Sequence, residues 1–543
     1  MAVSKERWPR RRTRLRRIVA LAVLALAIVI AAVTAVVSYL QSRPQNNVAW
    51  ASKRIKHIVL ILEENRSFDN VFGRFPGARG PAKAKVNIGG KVSLDPLIPE
   101  PYYLWHDIGH DLSDGLAAID HGRMDGFSHE TYSDVSGDRA AYQQLTGADI
   151  PNLYTYARHY TLSDRTFSPM PGPTFPTHLF TVAAQDGGVI GNPQHSTGAW
   201  GCDASPGTYV LQQIAPGHVV NTFPCFTFTT LTTTLNAAHR SWTYYAAPPS
   251  NLGYIWSTLD AIKPVRRSAQ WATNVKDEQS FEADARAGRL PAFSWVTPRA
   301  IDSMHPPDQA CPGENWIVNK VNAVMQGPDW SSTLIVVAWD DWGGYYDHVP
   351  PPAGDGIRVP LLAISPYAGA GTIAHTVYTF NSVLKTAEVL WKLPSLTSAD
   401  RDARSLLGML NVAQSPRAPL ILQPRSCLPA LTQQTYHDLL DQQIGRVLAQ
   451  MLRLPLTTIE ARHRSQTLSQ IARDAGANPA AVVRALQTVT AAWWQGEDLL
   501  QLASLTTVTK NEYLEHRAVA SWFNSSTGPR LFPLPPIAPA RGP

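Results

Sequence analysis

Two stretches of the chain share one pattern, an unbroken apolar run that stops abruptly at acids. Residues 57–69, HIVLILEENRSFD, are apolar from Ile58 to Leu62 and then turn to Glu63, Glu64, Asn65, Arg66, Ser67 and Asp69. Residues 333–348, TLIVVAWDDWGGYYDH, repeat the design, with Leu334 to Ala338 apolar and Asp340 and Asp341 at the end. A short continuous run of Val, Ile and Leu bounded by polar residues and Gly fits a parallel strand covered on both faces. Ligands of open α/β sheets bind beyond the carboxyl ends of such strands. If both strands share a sheet, Glu64, Asn65, Asp340 and Asp341 converge there, and carboxylates so close repel unless a cation lies between them. The pattern predicts a metal site. Glu63 and Asp69 read as ordinary solvated strand ends.

The same reading extends along the chain. Residues 70–105, rich in Gly, Pro and Lys without periodicity, predict a long loop, and a helix is expected from Leu112 to Asp120. Pro151 suits the first turn of another helix. Pro169, Pro171, Gly172, Pro173 and Pro176 force an irregular turn before an apolar segment from Leu179. Residues 190–240, rich in Thr, Gly and Pro, show no assignable period. Strands are predicted at 241–246 and 292–298, a helix at 281–289, and a helical stripe of Ile317, Val321 and Val324 within 314–326. The Asp340 strand and a further strand at 359–365 follow. Strand and helix alternating in this way predict an α/β fold, a largely parallel sheet sandwiched by helices, over residues 54–425.

Composition changes near 426. Residues 426–527 read as helices with a turn at Gly476, Asn478 and Pro479; the middle segment has the outline of a helix-turn-helix, but plain helix packing explains it. The Pro-rich stretch 528–543 reads as an extended tail. At the other end, residues 18–40 form an uncharged apolar run of 23, long enough as a helix to cross the roughly 30 Å hydrocarbon core. It predicts a transmembrane signal-anchor, with the basic segment 1–17 in the cytoplasm, a polar linker at 41–53 and the catalytic domain outside. A cleaved leader, which would leave a secreted protein, is the alternative, and the arginines leave twin-arginine export open.

Charge adds little once this is set apart. The net charge is +6, but residues 1–17 hold eight Lys or Arg against Glu6, which leaves about −1 for the remainder. A pI near 9.0 therefore gives no reason to expect nucleic acid as a partner. With 17% charged and 44% hydrophobic residues the chain has ordinary globular composition. Cys202, Cys225, Cys311 and Cys427 in an exported chain predict disulfides, with Cys202–Cys225 expected from proximity, and no spacing matches a zinc knuckle.

Glu64, Asn65, Asp340 and Asp341 offer oxygen ligands alone, which favours a hard divalent cation such as Mg, Ca or Mn over a closed zinc site, unless nearby histidines change the set. A hydroxyl beside a metal can lose its proton and attack phosphorus. PGPTFPTH supplies Thr174, its backbone fixed by flanking Pro and Gly. His110, His305 and His348 are candidates to bind phosphoryl oxygens or protonate a leaving group.

ENRSFD after a strand, PGPT in a turn, HPP near 305 and DDWGGYYDHVPPP together resemble the bacterial phosphoesterase family that contains secreted phospholipases C and an acid phosphatase, within the alkaline phosphatase-like superfamily. The resemblance runs from about residue 55 to about 395, with four motifs in order. It implies one or more divalent metal ions held by Glu64, Asn65, Thr174, Asp340 and Asp341, and Thr174 as nucleophile. His110, His305 and His348 fall where that family lines its phosphate pocket, with His305 as the leaving-group acid. Two places depart from the family. Asp341 stands where Glu is often found, one methylene shorter, and Pro176-Thr177-His178 replaces a common Pro-Asn-Arg. The expected function is metal-assisted hydrolysis of a phospholipid head-group ester, phospholipase C-like. An acid-phosphatase-like phosphomonoesterase and an exported binding protein without turnover are the alternatives.

Overall fold

The computed structural model describes residues 45–427, apart from 103, 105, 135–137 and 197. Its centre is an eight-stranded sheet of β1 (His57–Glu63), β2 (Thr161–Ser163), β3 (Trp242–Ala246), β4 (Val275–Asp277), β5 (Phe293–Val296), β6 (Thr333–Trp339), β7 (Leu361–Ile364) and β8 (Thr372–Ala374). The spatial order is β4-β3-β5-β1-β6-β7-β2-β8. β1 lies between β5 and β6 and is parallel to both. Every residue of β6, and of β1 from Ile58 onward, is buried, which is why these strands read as continuous apolar runs rather than alternating ones.

The sheet is mixed rather than simply parallel. β7 runs antiparallel to both β6 and β2. The reason is visible in the connection: residues 340–360 contain no helix. A parallel return needs a crossover, usually helical, so the chain comes back beside β6 in the opposite direction.

The helices used below are α1 (Gln45–Arg54), α2 (Leu112–Ile119), α3 (Pro151–His159), α4 (Thr174–Ala183), α5 (Ser280–Arg286), α6 (Ala310–Gln326) and α7 (Phe380–Trp391). α1 replaces part of the expected linker. Ala51 is fully buried and Trp50 meets Tyr367 edge-on at 5.0 Å, so apolar contact with the domain holds this turn-rich segment as helix. The expected loop at 70–105 contains a hairpin, Lys83–Ile88 with Lys91–Pro96. The unassigned stretch at 190–240 contains a second, Val210–Ala215 with His218–Thr222, and a short helix, Leu231–Ala237. Disulfides join Cys202 to Cys225, as proximity predicted, and Cys311 of α6 to Cys427.

The membrane-spanning element of the expected fold is corrected. Among the described residues no helix is long and apolar enough to cross a membrane. Residues 18–40 themselves lie outside the described residues, as do 1–17, the helical region from 428 onward and the Pro-rich tail.

Candidate active site

In the register of the central pair Glu63 lies opposite Trp339, so the residues that follow each strand are brought side by side. The ladder continues past the strand ends: Asp340 N–H donates to the Glu63 carbonyl and Arg66 N–H to the Asp341 carbonyl, each at 3.0 Å. Between them Asn65 adopts φ 57°, a left-handed conformation that Asn tolerates better than most residues. This turn points its N–H at Asp340 Oδ1, 2.8 Å away. Asp341 in turn accepts from Gly343 N–H at 2.8 Å. Glu64, Asn65, Asp340 and Asp341 are all fully buried.

His110 fixes the Asn65 amide. Its Nδ1 lies 2.7 Å from the Ile108 carbonyl and its Nε2 3.0 Å from Asn65 Nδ2. Hydrogen-bond logic assigns one tautomer, with Nδ1–H donating to the carbonyl and Nε2 accepting from the amide. The amide oxygen is thereby turned away from His110. Asn65 Oδ1 is buried without a hydrogen-bond partner.

Thr174 is the first residue of α4, entered through Pro173 in extended conformation. The preceding loop is pinned to the site, because Ser168 Oγ donates to the Asp340 carbonyl at 3.1 Å. Thr174 is 1% exposed and its Oγ1 has no hydrogen-bond partner. One helical turn later, on the same face, His178 places Nε2 3.1 Å from Glu64 Oε1 and 3.7 Å from Asp340 Oδ2. The sequence reading marked His178 only as a departure from the family pattern and left it out of the metal candidates. Periodicity was the signal that pointed to it, since a helix starting at Thr174 puts position 178 on the face of position 174.

Glu63 and Asp69 are not solvated strand ends. Glu63 is fully buried; its Oε2 accepts from Met304 N–H at 3.0 Å, and burial pushes its carboxyl up to about 8 against that bond. Arg66 Nε donates to the Met304 carbonyl at 2.9 Å. Both sides of Met304 are therefore tied to the end of β1, which positions His305 next to it. The His305 ring lies 5.8 Å from the His110 ring, and the two group with Asp107.

His348 belongs to a third group, with Asp69 and Asp347. Its Nδ1 is 2.6 Å from Asp69 Oδ2. Fully buried Arg358 already supplies the positive charge there, donating to Asp69 at 2.7 Å and to Asp347 at 3.0 Å. A metal would compete with a guanidinium at that place, so this group fits an ion poorly. Burial lowers the pKa of His348, but the hydrogen bond and charge of Asp69 outweigh it, and the net shift is upward.

The Glu64–His178–Asp340 group fits a cation far better. Asn65 Oδ1, Thr174 Oγ1 and Asp340 Oδ2 are buried and make no hydrogen bond. Leaving each of these unsatisfied costs about 1–3 kcal/mol, and an ion among them removes that cost. The donors are carboxylate, amide and hydroxyl oxygens with one imidazole, a set suited to a divalent metal. His178, one turn after Thr174, brings α4 to the ends of β1 and β6, with His110 and His305 joined to that place through Asn65 and Met304. His348 stands apart in the Asp69–Arg358 network.

Comparison with known proteins defines the class, a hydrolase acting on phosphoester bonds. The chain belongs to the Phosphoesterase family, whose model matches residues 55–394. It is similar to phospholipase C A of Mycobacterium tuberculosis, 26% identical over 402 residues that cover 63% of this chain and 73% of that protein. It is also similar to non-specific phospholipase C3 of Arabidopsis thaliana, 25% identical over 460 residues, covering 73% and 82%. Among solved structures it is similar to a protein in the alkaline phosphatase superfamily from Vibrio parahaemolyticus, 10% identical with TM-score 0.31, covering 67% of this chain and 71% of that one.

Proposed function

We propose that this chain is a metal-dependent, phospholipase C-like hydrolase that cleaves phospholipid head-group esters with Thr174 as nucleophile. One observation carries the reading: Thr174 Oγ1 is buried without a hydrogen-bond partner, one turn from a histidine that touches Glu64 and Asp340. A hydroxyl in that position is poised for chemistry rather than for structural bonding. Glu64, Asn65, Asp340 and Asp341, with Thr174, are the residues that would hold a divalent cation. Bound there, it would supply positive charge that lowers the pKa of the Thr174 hydroxyl and offsets negative charge gathering on the phosphoryl oxygens.

The chain's own groups do the rest. Thr174 passes its proton to solvent as its Oγ1 attacks phosphorus in line with the diacylglycerol oxygen. The bond from phosphorus to that oxygen breaks, and a histidine gives the departing alkoxide a proton. Water, giving a proton to the now neutral histidine, then releases the phosphorylated head group from the threonine phosphodiester, and the Thr174 oxygen regains a proton from solvent. The resemblance gives the proton donor's role to His305; His348, outside the Glu64–His178–Asp340 group, is the other candidate, since Asp69 binds its Nδ1 and holds the ring protonated to higher pH. His305 has Nδ1 2.5 Å from the Pro306 carbonyl, which leaves Nε2 as an acceptor suited to a phosphoryl hydroxyl or water. The N-terminus of the ten-residue α4 adds a partial positive charge beside the reacting oxygen.

The phospholipid substrate is taken from what the named relatives are called, and the two disulfides support an extracytoplasmic location. Rapid quench of the enzyme during turnover of a phosphocholine ester, followed by peptide mass spectrometry, tests the nucleophile. Phosphocholine on the peptide containing Thr174 is expected, and modification elsewhere would refute the assignment.

A further inference from the structure

The oxygen-only ligand set read from the sequence is incomplete, because the structure adds a nitrogen at the strand ends. His178 is 2% exposed and has no route to solvent for an ordinary surface histidine's role. Its Nε2 faces two carboxylates at once, Glu64 Oε1 at 3.1 Å and Asp340 Oδ2 at 3.7 Å. Two ligands about 2.0–2.1 Å from one tetrahedral ion lie about 3.3 Å apart. The two observed distances bracket that spacing.

The other ring nitrogen supports the same role. Nδ1 lies 3.4 Å from Thr258 Oγ1, and that hydroxyl is itself placed by the Tyr244 hydroxyl at 3.0 Å. With Nδ1–H directed at Thr258, the Nε2 lone pair faces Glu64 and Asp340, an arrangement that calls for a metal ion or a proton at Nε2. Metal-ligating histidines characteristically engage their second nitrogen this way, which fixes tautomer and ring orientation. The backbone is equally constrained, since Trp295 Nε1 donates to the Thr181 carbonyl of α4 at 2.9 Å and anchors the helix to β5.

Resting on the metal reading above, we infer that His178 is a nitrogen ligand of this chain's cation and that it shifts selection from Mg or Ca toward a zinc-class transition ion. Mg and Ca take oxygen ligands, whereas imidazole suits Zn and its transition-metal neighbours. The same helix face then carries both the nucleophile, Thr174, and a ligand, His178, so ion and nucleophile are positioned by one rigid element.

The test uses the full-length chain, stripped with chelator and reloaded separately with Zn²⁺, Co²⁺, Mg²⁺ or Ca²⁺. Metal content is measured by mass spectrometry, affinity by competition with a chromophoric chelator, and ligand field from the visible spectrum of the Co²⁺ form. Zinc binds most mixed sites more tightly than magnesium whatever their ligands, so the decisive quantity is the difference between variants. His178→Gln should weaken Zn²⁺ by roughly 10²-fold, change the Co²⁺ spectrum and leave Mg²⁺ binding little changed. Glu64→Gln should weaken all four ions. His178→Cys, which replaces imidazole with thiolate, should restore tight Zn²⁺ binding and give a sulfur-to-cobalt charge-transfer band; it also tests the role if the Gln variant fails to fold. Zn²⁺ affinity and Co²⁺ spectrum unchanged in folded His178→Gln would overturn the inference and leave the metal reading standing. Wild type that takes up no stoichiometric ion would overturn the metal reading itself, with His178 then an imidazolium paired to Glu64 and Asp340.

Discussion

Gly343→Ala is a one-methyl change that tests how tightly the metal-site backbone is set. Gly343 follows the Asp340–Asp341 pair with φ +58°, and a Cβ there would lie 2.7 Å from both the carbonyl carbon and the Cβ of Asn65, and closer still to its carbonyl oxygen. Carbon atoms in contact prefer about 3.5–4.0 Å, so Asn65 or the 341–344 turn must move by about 1 Å. The left-handed backbone adds about 1–2 kcal/mol of strain for a residue other than glycine. A displacement of this size at catalytic groups lowers rate by about 10²-fold, which is about 2.7 kcal/mol of transition-state stabilisation. Gly89→Ala is the matched control, because Gly89 has the same φ, +58°, with nothing within 4 Å of the added methyl. Hydrolysis of p-nitrophenylphosphorylcholine is measured for both variants beside thermal unfolding. Both should lose stability through the left-handed backbone, Gly343→Ala should lose about 1–3 kcal/mol more through the clash, and only Gly343→Ala should lose kcat. Wild-type kcat in folded Gly343→Ala would refute the reasoning that Asn65 and Asp341 are held in a single productive geometry.

Three further outcomes are expected. His348 gains a partner in Asp69 and its pKa is raised on folding, so it contributes stability that is complete below its unfolded value near 6.5 and is lost as pH rises through the folded value; Asp69→Asn should move the alkaline limb of kcat to lower pH, His348→Gln should abolish that limb, and a pH–rate profile unchanged in both removes His348 from proton transfer. Cys311→Ser with Cys427→Ser opens a crosslink spanning 116 residues and should lower unfolding free energy by about 2–5 kcal/mol, read as a shift of denaturant midpoint with unchanged kcat at low temperature. His110→Ala frees the Asn65 amide to rotate and should cut kcat by roughly 10²-fold in protein that is still folded though less stable by about 1–3 kcal/mol, whereas an unchanged kcat would mean that Asn65 Oδ1 needs no positioning.

The strands that build the site were legible because burial on both faces leaves a continuous apolar run, and two such runs that both end in clustered acids point to one shared site. Glu64, Asn65, Asp340 and Asp341 could therefore be placed before any coordinates existed. The direction of β7 was not legible, since apolar content at 359–365 is the same in either orientation and only the absence of a crossover helix decides it. The two hairpins were hidden by weak alternation: KAKVNI and KVSLDP set lysines, Asn and Ser among few apolar positions. Arg358 was invisible as the partner of Asp69 and Asp347, because nothing local links residues 289 and 11 positions apart. His178 was legible in principle from helical spacing, but family pattern drew attention to its neighbour Thr174 instead. The membrane-spanning expectation rested on a stretch outside the described residues and finds no counterpart among them.

The most direct measurement is diacylglycerol release from phosphatidylcholine vesicles by the full-length chain and by Thr174→Ala, each before and after exhaustive chelation and after metal return. The account predicts release by the wild type that chelation abolishes and added metal restores, and a loss of at least about 10³-fold in Thr174→Ala. Full release after chelation, or by folded Thr174→Ala, would contradict it.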